Sequence, residues 1–346
     1  MGWHLKKSRI GRRVMVGCSL AAAAVVLAAG AATASVVVHP VPATSGIAAV
    51  ACESTTVCVG VGSGTTGATV TVITNGVPGA TRTVASSNSL LEAACWSSTR
   101  CVALGDTPDQ SHAVLVPITS GVPGVAVKVP HVFLLWSVAC LPRPSTTCYA
   151  VGQGAGPSGL VVRIDNGVAR APVTVSSSRV LTAISCPTAA NCYATGQAAA
   201  SPVGVILTIT NGTPGALRSD HSANELYGIG CVSATVCYAD GRAFNTSQLR
   251  SVVTTIAAGV PGQSVNFPVA GYLDHLACLA GGQCLASGFV GQKGLLSTVT
   301  NGAPGPVSSI QSVNDFFSGV CLSSSNCIVG GTTANFSKGL VADTEV

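Results

Sequence analysis

The sequence is short of charge and of aromatic rings. Charged residues make up 8% of its 346 positions, aromatics make up 4%, and there are two methionines. The helix formers Glu, Lys and Gln are scarce, which argues against a helical core. After the N-terminal region no apolar run is long enough to cross a bilayer. Gly-x-Ser-x-Gly, a Ser/His/Asp pattern and a phosphate loop are all missing, so the common hydrolase and nucleotide signatures are excluded. What remains is Ala, Val, Ser and Thr with 40 Gly and 18 Pro, material suited to short strands and tight turns.

The first 34 residues differ from the rest. Lys6, Lys7, Arg9, Arg12 and Arg13 precede an apolar run from Val14 to Ala31, and Ala32-Thr33-Ala34 fits a small-residue cleavage site. This pattern predicts a secretory signal peptide over 1–34, with an uncleaved membrane anchor as the alternative. Arg12-Arg13 leaves twin-arginine export open beside the general route. Five of the 17 basic residues belong to this leader. The remaining 12 balance 12 acidic residues, and a neutral surface argues against nucleic acid or anionic lipid as partner.

Fourteen of the 15 cysteines form seven close pairs: Cys52/Cys58, Cys95/Cys101, Cys140/Cys148, Cys186/Cys192, Cys231/Cys237, Cys278/Cys284 and Cys321/Cys327. Cys18 lies in the leader. In an exported chain such pairs read as disulfides. The spacing and the lack of accompanying histidines do not fit structural zinc. A cysteine ending one strand and another opening its hairpin partner stand opposite each other at a separation that a disulfide accepts.

The pairs mark a repeat of about 45 residues, a period typical of propeller blades. One unit shows the plan. Leu181–Ser185 is strand a, Cys192–Thr195 strand b, Gly204–Thr210 strand c, and Asn211-Gly212 the two-residue turn into strand d. A glycine follows each second cysteine four positions on, at Gly62, Gly105, Gly152, Gly196, Gly241, Gly288 and Gly331. It is expected to end strand b. The seventh unit lacks a strand d, and residues 35–39 are expected to supply it, joining the two ends of the chain in one sheet. The prediction is all-β: one seven-bladed β-propeller of four-stranded antiparallel blades over 35–346. Small residues before the first cysteines (Ala51, Ala94, Ala139, Ser185, Gly230, Ala277, Val320) fit the narrow inner side of a ring.

The repeat, as in ISCPTAANCYATG followed by a c strand and an Asn-Gly turn, resembles the cysteine-containing blades of secreted bacterial β-propellers. These belong to the broad grouping of WD40, YVTN and sialidase-type (BNR, or Asp-box) repeats. The resemblance covers 35–346 and implies the architecture rather than an activity. The turn Thr210-Asn211-Gly212-Thr213-Pro214 lacks the aspartate and the aromatic anchor of an Asp-box, and the Trp-Asp dipeptide of WD40 repeats is absent.

The a–b and c–d turns of a propeller share one face, and the b–c and d–a connections share the other. Ligand-binding candidates fall on the second face, where loops on a rigid scaffold collect function. Asp106, Asp109 and His112 have the ligand types for a divalent cation. Glu92 and His275 stand three residues before Cys95 and Cys278, where the other blades carry Ala49, Ser137, Ala183, Gly228 and Ser318. Arg242 and Arg250 flank Phe244 on the longest b–c connection and suit a carboxylate or a sugar. Glu225 and Asp274 complete the set. No catalytic residue, metal or cofactor is assigned. Tyr149, Tyr193 and Tyr238 are expected to pack between blades. The functional expectation is a monomeric, secreted or cell-surface, non-catalytic propeller that binds a protein or a glycan through the b–c/d–a face. The alternative is a carbohydrate-active, sialidase- or glycosidase-like enzyme, which needs two suitably separated carboxylates.

Overall fold

The computed structural model describes residues 36–245 and 248–344, so the expected leader lies outside the described residues. Every regular element among the described residues is a strand, and no helix there is long and apolar enough to cross a membrane. The strands form seven antiparallel sheets, one per repeat. Blade 4 is representative, with strand a at Ser178–Ser185, b at Asn191–Ala198, c at Gly204–Thr210 and d at Thr213–Asp220. Strand d is split in blade 2 (Val122–Pro123, Val127–Lys128) and in blade 3 (Val168–Ala169, Val173–Val175).

Burial follows strand position. Strand b is buried on both faces, whereas strand d is mostly exposed on the outer rim. The apolar core is divided into seven clusters, each formed between two neighbouring blades. The last of them joins Ile47, Cys58 and Ile73 of blade 1 to Ile328 and Val341 of blade 7, which closes the ring hydrophobically. Hydrogen bonding closes it too. Val37–Val41 pairs antiparallel with Gly339–Thr344, His39 opposite Val341. The closing strand therefore exists where a missing strand d requires it, two residues later than expected.

All seven cysteine pairs are disulfides, with Cα atoms 3.8–4.0 Å apart. The two members of a pair stand opposite each other, as direct register partners in six of the seven blades, but they are not equivalently buried. The second cysteines, Cys58, Cys101, Cys148, Cys192, Cys237, Cys284 and Cys327, are completely or almost completely buried. They are core residues and not part of a ligand surface: each of the seven interblade clusters contains one of them. The reason is their place in the chain. Each is the second residue of strand b, as in Val57-Cys58 and Arg100-Cys101, and strand b is the strand covered on both faces. The first cysteines, at or near the end of strand a, are only half-buried. Half of every disulfide therefore serves as apolar packing between blades.

The c–d turns have positive φ at both central residues, as at Asn211 (50°) and Gly212 (83°), the type I′ geometry that Asn-Gly favours. Tyr149, Tyr193 and Tyr238 are buried in the clusters between blades 3 and 4, 4 and 5, and 5 and 6. Crowding also explains the small residues before the cysteines. A Cβ on Gly230 would stand 2.4 Å from the Cys278 sulfur of the next blade.

The recurrent glycine has a different reason from the one the sequence suggests. It lies inside strand b, not at its end: strand b of blade 1 runs Val57–Gly64 through Gly62. In all seven blades this glycine faces the fully buried apolar residue of strand a: Ile47, Leu90, Leu135, Leu181, Leu226, Leu273 or Phe316. At each of these places strand a carries a β-bulge immediately after the apolar residue. The bulge presses the strand-a backbone onto strand b. A Cβ on Gly196 would stand 2.1 Å from the Val180 carbonyl oxygen, and one on Gly288 would stand 1.9 Å from that of Tyr272. Only glycine leaves room for this approach.

Candidate functional site

The seven bulges define the site. A regular strand alternates its side chains between faces, but a bulge adds a residue and re-aims a side chain. Here the added residues are Ala48, Leu91, Trp136, Thr182, Tyr227, Asp274 and Phe317, each four positions before a first cysteine. All seven line one cavity of about 730 Å³, together with Glu92, Ser137, Ala183, His275 and Ser318 of the following column. The cavity also receives Gln153, Arg179 and Glu225 from the ends of strands that open on the b–c/d–a face. It is the funnel at the centre of that face, and none of the paired cysteines lines it. Trp136 and Phe317 are 43% and 39% exposed there, and Phe133, Phe244 and Phe336 are exposed elsewhere along the strand ends and loops of the same face. Five exposed aromatics thus lie on one face of a chain poor in aromatics.

The polar groups of the funnel are partly committed. The Tyr227 hydroxyl donates to Glu225 Oε2 at 2.7 Å. Arg242 reaches Asp274 at 3.1 Å, with its guanidinium between the Tyr227 and Tyr272 rings, 4.4 and 4.2 Å from their centroids. Tyr272 stacks in turn on Phe289. Arg179 donates to Gln197 at 2.7 Å. His275 Nε2 lies 3.0 Å from the Gly319 carbonyl oxygen, which fixes the proton on that nitrogen; burial lowers the pKa of the ring and keeps it neutral. Glu92 Oε1 accepts only the N–H of Ala93, at 3.0 Å. Burial pushes the Glu92 carboxyl up to about 8.

Three further acids stand in or near this wall. Burial raises Asp274, against the pull of Arg242. Burial, reinforced by Asp274, raises Asp315 to about 8. Asp240 is fully buried in strand b of blade 5, where neither carboxyl oxygen has a hydrogen-bond partner, and burial raises it well above the ordinary carboxylate range. Its counterparts in blades 1 to 3 are Val61, Leu104 and Val151, all fully buried.

Of the residues singled out from sequence, Glu92, Glu225, Asp274 and His275 line the funnel, and Arg242 backs it through Asp274 and Tyr227. Arg250 is exposed and faces Ala243 across the b–c hairpin. Asp106, Asp109 and His112 do not converge. Asp106 accepts the backbone N–H and hydroxyl of Ser89 and the amide of Asn88, tying the start of strand a to the end of strand b in its own blade. Asp109 is taken up by Thr107 and Ser111, whose hydrogen bonds hold it down at about 2. His112 Nδ1 meets the Ser111 hydroxyl at 2.7 Å. Among the described residues no cluster of three or more His, Cys, Asp or Glu could hold a metal ion. The bulge column was not legible from sequence, because strict alternation would turn it away from the axis. Its one signal was the placement of Trp136, Tyr227 and Phe317 at equivalent positions.

No protein-family model and no curated protein matches this sequence. Among solved structures the fold is similar to that of YCF48 bound to D1 peptide, at 13% identity over 90% of this chain and 97% of that chain, with a TM-score of 0.58. It is similar to the WD40 β-propeller domain of Doa1 at 13% identity over 87% and 92%, with a TM-score of 0.61. It is also similar to Kuenenia stuttgartiensis hydrazine synthase at 12% identity over 88% and 96%, with a TM-score of 0.66. At these identities the likeness shows the fold alone: an all-β, seven-bladed β-propeller.

Proposed function

We propose that this chain is an exported, non-catalytic propeller that binds a peptide segment of a protein partner in the funnel of its b–c/d–a face. The observation that carries the reading is the bulge column. Seven equivalent backbone irregularities, each supported by a glycine, deliver seven different side chains to one cavity. A purely structural bulge would serve equally well with small residues throughout. The cavity is large enough for several side chains, and its mixture of aromatic rings and a few polar groups is that of a recognition site. YCF48 is a propeller of this fold with a peptide bound. Export is supported by the basic-apolar leader pattern and by seven disulfides, which persist in oxidising compartments.

One observation favours a second reading, a carbohydrate-active enzyme. A tyrosine hydrogen-bonded to a glutamate, as in Tyr227 and Glu225, has the makings of an activated nucleophile. Against it, Arg242 is stacked on that same ring and committed to Asp274, which leaves Arg179 as the cation lining the cavity. The test is the full chain, with its disulfides oxidised, offered an array of random-sequence peptides beside an array of wall and host glycans, read for retention and for cleavage. Selective retention of peptides without cleavage is the expected result. Retention or cleavage of glycans with no peptide retained would refute the peptide reading.

A further inference from the structure

The funnel's acidic side chains are unequal in what they have to bond to. Three carboxyls line it: Glu92, Glu225 and Asp274. Glu225 is met by the Tyr227 hydroxyl and Asp274 by Arg242. Glu92 is met by no side chain; its one partner is the N–H of the next residue. It is also out of place in its column, where five of the other six blades carry Ala, Ser or Gly. A carboxyl in a crowded ring costs desolvation, and that cost falls when a cation meets it. The cation already lining the cavity, Arg179, is bonded to Gln197, and His275 is a neutral donor to a backbone carbonyl.

The walls suit the same ligand. Trp136, on the blade next to Glu92, and Phe317 present exposed ring surface to the cavity, and aromatic faces attract guanidinium and ammonium groups. The protein shows what this environment does with such a group. Its own Arg242 lies between two tyrosine rings and is paired with Asp274, at the wall of the same cavity.

We infer that the peptide segment bound in the funnel inserts an arginine or lysine side chain, whose cation pairs with Glu92 and packs against the Trp136 ring. The inference rests on the peptide-binding reading and adds the chemistry of the residue recognised. An acidic side chain would meet three carboxyls, and a neutral one would leave Glu92 as it is in the free protein.

The probe is a synthetic random decapeptide library in five versions, with the central residue fixed as Arg, Lys, acetyl-lysine, norleucine or Glu. The expected result is that the Arg and Lys versions are retained roughly tenfold above the acetyl-lysine and norleucine versions. Glu92→Gln should bring that ratio close to one with the thermal midpoint little changed, and Trp136→Ala should lower retention of the Arg and Lys versions. Acetyl-lysine removes the charge from the probe alone, so the comparison holds even where a variant folds poorly. Equal retention of all five versions, preference for Glu, or an unchanged ratio in Glu92→Gln would overturn the inference while leaving peptide binding intact. Failure to retain any version would refute the peptide reading and this inference together.

Discussion

At the scale of single residues, the glycine opposite each bulge does the most to set the geometry of the molecule. Its spacing after the second cysteine was plain in the sequence, but its reason was not. A strand-ending glycine and a glycine under a bulge leave the same trace in a repeat, and only the approach of the Val180 carbonyl to Gly196 separates them. Gly196→Ala should destabilise the fold by about 2–4 kcal/mol, because backbone rather than a flexible side chain must move. Gly156→Ala provides the control. A Cβ there meets nothing within 4 Å, and denaturant midpoints should show little change. Comparable losses in both variants would contradict the bulge argument.

Buried acids give a second test at this scale. A carboxyl whose value is raised by burial binds its proton more tightly in the folded chain. Its contribution to stability is whole below the unfolded value and is lost as pH rises to the folded one. Glu92 and Asp315, both raised to about 8 from ordinary values of 4.5 and 3.8, place this loss between about pH 4 and 8, and Asp240 acts in the same direction. His275, lowered by burial, acts oppositely near its ordinary value of 6.5. Carboxyls outnumber the imidazole, so the melting temperature should fall from pH 6.5 to 8.5. Asp240→Val restores the residue that blades 1 and 3 carry at this place. It should raise stability by about 1–3 kcal/mol at pH 8 and by less at pH 5, seen as a flatter pH profile in thermal melts. A melting temperature that rises with pH, or a destabilised Asp240→Val, would count against this reading.

At the scale of elements, repetition made the sequence legible. Seven copies of a cysteine pair, six copies of a two-residue turn and a missing last strand d were enough to place strands, disulfides and the closing strand. The unequal burial of the two cysteines was not legible, because spacing alone does not say which strand of a hairpin is covered on both faces. The closing strand lies two residues later than the spacing predicts, because an isolated apolar run such as Val36-Val37-Val38 carries no register of its own until it pairs with Gly339–Thr344. Each disulfide closes a short hairpin loop and should contribute about 2 kcal/mol. Replacing Cys186 and Cys192 together by Ala should lower stability by at least that amount, since Cys192 is also core, and leave the other blades folded, since each core cluster is shared only between neighbours. Loss of all structure in that variant, read by near-ultraviolet circular dichroism, would show the ring to be less modular than the clusters indicate.

At the scale of the whole molecule, the site was half visible. Glu92 and His275 stood out because they broke a column of small residues, and both line the funnel. Asp106, Asp109 and His112 looked like ligands by residue type alone, yet local hydrogen bonds account for them. The bulge column, with Trp136, Tyr227 and Phe317, is hidden in the sequence because a bulge reverses the facing that alternation implies. The central claim is that recognition occurs at this funnel and not at the face carrying the disulfides and Asn-Gly turns. The most direct measurement compares peptide-array retention by two variants, Ala48→Trp, which places a bulky ring in the funnel, and Val168→Glu, which adds charge to an exposed residue beside a c–d turn. Loss of retention in Ala48→Trp with Val168→Glu unaffected is the result this account requires. Retention that survives Ala48→Trp and fails in Val168→Glu would place recognition on the opposite face and contradict it.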